Sequence, residues 1–191
     1  MAQAFLPVRF SADVSYYQRN LPHWHPDGAA LFITWRLFGS LCSSGRGLRK
    51  DARSAFLGMD RELDRARMGP VWLKDERVAR SVVDALRYGQ QQLGLYRLMA
   101  FALVANHVHL LIQPNSDLSR ITPTVKGFTA REANKILGRT GQPFWQDESF
   151  DDWVRNRDEL NRTIRYVDRH PVFAGLAQSI EVYPWSSACA Q

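Results

Sequence analysis

Two apolar runs separated by a three-residue break constrain the fold of this chain more than any other feature. Leu95–Val104 and Val108–Gln113 flank Ala105-Asn106-His107, and so short a link between extended runs calls for a tight turn joining adjacent antiparallel strands. Gly94 precedes the first run, and Asn115–Asp117 ends the second. Another strand is predicted at Leu31–Phe38, a β-branched and aromatic run closed by Gly39-Ser40. Between the strands the apolar spacing turns helical. Val78, Val82 and Leu86 predict a helix from Asp75 to about Gln92, and Ile121–Leu137 reads as another, with Pro123 near its start and Gly138 at its end. Asp158–Arg169 is read as the last helix, with Asp158 as its cap and Pro171 as its stop, and a short charged helix is expected at Asp60–Arg67. The order implies an α+β domain with helices packed on an antiparallel sheet.

The 191 residues are read as one domain, with residues 1–28 as an irregular N-terminal arm and 29–191 as the core. No apolar run approaches the roughly 18 residues that span a bilayer, so no membrane partner is expected and the protein is read as cytoplasmic. Cys42 and Cys189, far apart and outside any C-x-x-C pair, argue against a disulfide framework or a zinc knuckle. The net charge is +6, and of 25 basic residues all but Lys50, Lys74, Lys126 and Lys135 are arginine. An arginine-dominated surplus favours a phosphate-bearing partner, that is, a nucleic acid. The stretch from Ser43 to Arg53, rich in Gly, Ser and Arg, reads as a basic loop.

The chemistry concentrates in Asn106-His107-Val108-His109-Leu110-Leu111. Side chains alternate across a strand, so His107 and His109 share one face while Val108 and Leu110 take the other. Two imidazoles on a rigid support make half of a metal site. His23 and His25 repeat the spacing between Pro22 and Pro26, where surface packing or a DNA contact is the simpler reading. Tyr166 and His170 stand four residues apart, on one helical face. With a divalent ion held by His107, His109 and His170, the Tyr166 phenol is placed as a nucleophile toward a bound phosphate.

These residues carry a resemblance. The His107-Val-His109 pair, Lys126-Gly-Phe-Thr-Ala-Arg-Glu-Ala-Asn134, Gly141-Gln-Pro-Phe-Trp-Gln146, the Tyr166–Leu176 segment and Tyr183-Pro-Trp-Ser-Ser187 resemble the single-tyrosine HUH transposases, IS200-like, and most of all their REP-associated branch. The resemblance implies a ferredoxin-like α+β fold with the two histidines on its sheet. It implies Tyr166 as the nucleophile that forms a 5′-phosphotyrosine, and His107 and His109 as metal ligands. His170 falls where relatives usually place Gln or Asn. Mg²⁺ or Mn²⁺ is the implied cofactor, and three imidazoles favour Mn²⁺. The implied partner is single-stranded or hairpin DNA, handled by a monomer, with a dimer as the alternative.

Binding such DNA requires cations for phosphates and flat side chains for bases. Lys126, Arg131, Asn134, Lys135, Arg155 and Arg165 are expected to supply polar contacts, and Trp145, with Phe144 and Trp153, a stacking surface. Two other readings stay open: a DNA-hairpin binder that does not cut, and a metal-dependent phosphoesterase that uses an activated water.

Overall fold

The computed structural model describes residues 14–18, 22–26, 28–41 and 52–189. β1 (Val14–Gln18) and β2 (Pro22–Pro26) form an antiparallel pair in which Ser15 faces His25 and Tyr17 faces His23 across the backbone register. The expected irregular arm therefore contains a hairpin. Its strands are rich in tyrosine, tryptophan and valine, and Pro22 and Pro26 occupy strand ends, where a missing N–H costs little. The side chains of His23 and His25, together with Cys42 and residues 43–51 of the segment expected to be a basic loop, lie outside the described residues.

The main sheet follows the order β4-β5-β3-β6 and is antiparallel throughout, built from β3 (Leu31–Arg36), β4 (Tyr96–Leu103), β5 (His107–Pro114) and β6 (Phe150–Trp153). β4 and β5 are joined by the tight turn expected of their spacing, closed by a bond from Val104 N to the His107 carbonyl at 3.0 Å. The outer edge of β4 is partly covered by the C-terminal segment, where Leu103 N donates to Trp185 O and Ser187 N donates to Phe101 O. That pairing removes part of an edge open to other strands.

Among the described residues, four α-helices cover the sheet: α1 (Ala52–Arg65), α2 (Glu76–Gln91), α3 (Leu118–Ile136) and α4 (Arg157–Phe173). α2 begins where Asp75 accepts a bond from Arg77 N, and it buries Val78, Val82, Leu86 and Gly89 at helical spacing. Gly89 admits the Tyr96 ring, because a Cβ there would lie 2.5 Å from the Tyr96 hydroxyl, which itself donates to Leu86 O at 2.9 Å. α1 runs well N-terminal of the charged segment expected to be helical, since Phe56 and Leu63 give it a buried face. α4 also differs at both ends. Asn156, not Asp158, caps it by accepting from Glu159 N at 2.9 Å. Pro171 does not stop it: the helix continues to Phe173 and closes through Ala174 N to His170 O and Leu176 N to Pro171 O. Proline removes one N–H, and the buried packing of Val167, His170 and Pro171 outweighs that loss.

Strand alternation divides the interior in two. Leu31, Ile33, Trp35, Val108, Leu110 and Ile112 pack with α2 and α3 in the larger core. Phe32, Ala100, Ala102 and Leu111 pack with Phe56, Leu160 and Val167 of α1 and α4 in the smaller one. His107 and His109 belong to this second face, and the register sets Thr34 opposite His109.

Candidate active site

Three elements converge on the second face of the sheet. β5 contributes His107 and His109, α4 contributes Tyr166 and His170, and α1 contributes Asp60 and Asp64. The Nε2 atom of His107 lies 3.0 Å from that of His109 and 3.2 Å from that of His170. Asp60 Oδ1 is 3.3 Å from His109 Nε2 and 3.5 Å from His107 Nε2. The four residues are buried, at 0% exposure for both strand histidines, 1% for His170 and 2% for Asp60.

The outer nitrogens of the strand histidines are anchored. His107 Nδ1 is 2.8 Å from Asn106 Oδ1, and His109 Nδ1 is 2.7 Å from Thr34 Oγ1. A proton on each Nδ1 satisfies these bonds and leaves the Nε2 lone pairs facing the cluster. Asn106 also donates from Nδ2 to Leu63 O at 3.0 Å, tying the end of α1 to the start of the strand that carries His107 and His109. His170 Nε2 is 2.9 Å from Asp64 Oδ1.

Burial pushes the His107 imidazole far below its usual range, His109 adds to the effect, and Asp60 opposes it. His109 is lowered by burial and then by His170, again against Asp60. Neutral imidazole is the form that binds metal. For Asp60, burial acts to raise the carboxyl, and the imidazoles of His109, His107 and His170 outweigh it, so the group is held low and ionised.

The donor set fits a divalent ion. One ligand atom from each of Asp60, His107, His109 and His170 lies within 4.8 Å of all the others. Asp60 Oδ1 and His170 Nδ1 are buried without a hydrogen-bond partner. Imidazole lone pairs at 3.0 and 3.2 Å repel unless a proton or cation stands between them. Nitrogen donors with a single carboxylate suit Mn²⁺ or another transition metal better than Mg²⁺.

Tyr166 stands beside this cluster, its ring centroid 5.7 Å from that of His109 and 5.3 Å from that of His170. Its hydroxyl donates to Asp60 Oδ2. Burial first, then the Asp60 carboxylate, raises the phenol well above its ordinary value. A cavity of about 230 Å³ reaches Tyr166, lined by Phe32, Phe56, Phe150 and Arg162 among others.

The structure therefore brings together every residue expected in the catalytic and metal set, and it adds two acidic residues that the sequence reading missed. Asp60 and Asp64 are one helical turn apart, so a shared face was their available signal, hidden by the many charges around them. The residues expected to bind DNA are not brought together. Lys126 is nearly buried, and its Nζ donates to Gln146 O at 2.6 Å and Asp147 O at 2.8 Å. Asn134 is buried and donates to Gln142 O at 2.7 Å. Trp145 is 6% exposed, donates to Thr129 Oγ1 at 2.8 Å and packs edge-on against Trp35. Phe144 is buried on Trp72. These side chains hold the loop after α3 onto that helix and have no surface to offer a base.

Lys135 pairs with Glu132 at 2.8 Å. Arg155 bridges Asp152 and Glu159 and lies over the Trp153 ring. Arg131 lines a groove between α2 and α3, which pack on the other face of the sheet from the histidines. Arg165 is exposed on α4, one residue from Tyr166. Cys189 is free. Among the described residues, no helix is long and apolar enough to cross a membrane.

The chain is similar to known proteins in sequence and in fold. The family described as IS200-like transposase matches residues 72–170, a span that holds His107, His109, Tyr166 and His170 and leaves α1 outside. A solved REP-associated tyrosine transposase, bound to a REP hairpin, is similar over 91% of this chain and 82% of its own, with a TM-score of 0.53 and 17% identity. At that identity the likeness speaks for the α+β fold alone. No curated protein matches the chain. Because the family match covers just over half of the sequence, the chain belongs to the IS200-like transposase family.

Proposed function

We propose that this protein is a metal-dependent endonuclease and strand transferase of single-stranded DNA, acting at palindromic DNA folded as a hairpin. One observation carries the reading: the Tyr166 phenol rests on a carboxylate that borders three imidazole donors. In the reaction the phenol oxygen attacks a backbone phosphorus, and the bond from that phosphorus to the 3′ oxygen breaks. A 5′-phosphotyrosine forms, and the 3′ oxygen leaves with the bonding electron pair and takes up a proton from water to become the free 3′-hydroxyl. The phenol proton has an acceptor already in contact, the Asp60 carboxylate.

His107, His109 and His170 would hold the divalent ion, Mg²⁺ or Mn²⁺. When bound, it supplies Lewis-acid neutralisation of the charge that builds on the phosphate. The covalent tyrosyl link keeps the energy of the cleaved bond, so attack by the free 3′-hydroxyl rejoins a strand without another energy source. Family membership supports DNA as the substrate, and the REP hairpin in the similar transposase supports the hairpin form. Arg165 and Arg162, on α4 near the nucleophile, are the cations best placed to meet phosphates.

The test is to incubate an end-labelled single-stranded hairpin with the wild type and Tyr166→Phe in Mn²⁺, Mg²⁺ or chelator, then run denaturing gels. A metal-dependent covalent band, absent from Tyr166→Phe, is expected. Cleavage that persists in Tyr166→Phe would overturn the tyrosine mechanism in favour of a water-using phosphoesterase. Tight binding with no cleavage in any metal would mark a binder that does not cut.

A further inference from the structure

We propose that Asp60 of α1 is the fourth protein ligand of the divalent ion and, through its other oxygen, positions the Tyr166 phenol. The assignment rests on reading the histidine cluster as a metal centre. It adds a residue from outside the span that defines the family match, 72–170.

The first support is burial without compensation. Asp60 is 2% exposed, and its Oδ1 has no hydrogen-bond partner. An ionised oxygen taken out of water needs a cation or a set of donors, and with His107 and His109 protonated at Nδ1 their Nε2 atoms offer Oδ1 lone pairs and no donor. The second support is direction. Oδ1 sits 3.3 and 3.5 Å from the Nε2 atoms of His109 and His107, on the side where those lone pairs converge. A divalent cation there would satisfy the two nitrogens and the orphaned oxygen together. The third support is the division of labour within the carboxylate: Oδ2 accepts the Tyr166 hydroxyl while Oδ1 faces the imidazoles. One carboxylate has the lone pairs for both tasks.

Two consequences follow from the geometry. Asp60 makes the donor set three neutral imidazoles and one anion, so a divalent ion in it keeps one positive charge for the substrate phosphate. Because one carboxylate touches both the ion and the nucleophile, metal occupancy and phenol position are linked through α1. Asn106 strengthens the link, since it bonds both His107 and the Leu63 carbonyl near the end of that helix.

The experiment measures Mn²⁺ binding by calorimetry on the full chain without DNA, for wild type, Asp60→Asn, Asp60→Ala, His107→Ala and Tyr166→Phe. Asp60→Asn and Asp60→Ala are expected to weaken Mn²⁺ binding by about tenfold or more, in the range known for groups that tune metal sites. Tyr166→Phe should bind Mn²⁺ as the wild type does, and His107→Ala should lose it. Circular dichroism melts in chelator check folding, and the near-isosteric Asp60→Asn carries the test should Asp60→Ala fail to fold. Wild-type affinity in both Asp60 variants would overturn the ligand assignment.

Positioning is read separately, as the rate of the covalent band at saturating Mn²⁺. Both variants lose the carboxylate that accepts the phenol proton and should be slower than wild type, but Asp60→Asn keeps an oxygen to orient the phenol and should be faster than Asp60→Ala, and equal rates in the two variants would overturn the positioning role. The two readings fail in different ways. Mn²⁺ binding that depends on Asp60 with no adduct from wild type would refute the transposase chemistry and support the ligand. An adduct with Mn²⁺ binding indifferent to Asp60 would do the reverse.

Discussion

Replacing Thr34 by valine isolates the support of the candidate metal centre from its ligands. Thr34 is 2% exposed, and its Oγ1 lies 2.7 Å from His109 Nδ1 across the β3–β5 register. Valine keeps the branched shape and the strand preference, so the change deletes one oxygen from a packed place. With Nε2 turned to the cluster, Nδ1 carries the proton and donates to that oxygen. After Thr34→Val the N–H is left buried with no acceptor, which costs about 1–3 kcal/mol. For a chain of this size each kcal/mol moves the melting midpoint by about 2–4 °C, so a fall of about 2–12 °C is expected in chelator. The imidazole also loses the bond that fixes its tautomer, which should weaken Mn²⁺ binding by about 10–100-fold. Differential scanning calorimetry in chelator and Mn²⁺ titration read the two effects. An unchanged midpoint together with wild-type Mn²⁺ affinity would refute the argument, since the oxygen would then neither satisfy nor orient His109.

Tyr166→Phe should abolish the covalent band while leaving hairpin affinity, measured by fluorescence anisotropy, within about twofold, because it removes one oxygen and no cation. Gly89→Ala should destabilise the fold by about 1–3 kcal/mol in urea unfolding, since the new methyl meets the Tyr96 hydroxyl at 2.5 Å against a buried strand. Lys126→Met should lower stability by a similar amount, as two carbonyls lose their donor, yet leave the salt dependence of hairpin binding unchanged. Arg165→Ala should reduce that salt slope by about one without affecting the melting midpoint.

The features that were legible in the sequence are those that local geometry enforces. The three-residue break between apolar runs dictated a hairpin, and the two-residue period of a strand put His107 and His109 on one face. The 3.6-residue period of a helix did the same for Tyr166 and His170. These relations hold wherever the elements end up. The errors arose where packing competes with a local preference. Pro171 is a sound stop signal for an isolated helix, but α4 runs through it because its last turn is buried. Lys126 and Trp145 look like a DNA-binding pair by residue type, but the loop after α3 folds back over that helix and takes both as its anchors.

By itself, then, the sequence determined the hairpin, the amphipathic helices and the two halves of the cluster, because backbone geometry converts residue spacing directly into shared faces. Only the tertiary structure decided what stands opposite them. Thr34 is 75 residues from His109, and Asp60 and Asp64 are each 106 residues from their partners Tyr166 and His170. Those meetings depend on sheet register and on the docking of α1. Both are set by the summed burial of Phe32, Phe56, Leu111 and Val167 in the smaller core, so no spacing within one segment encodes them.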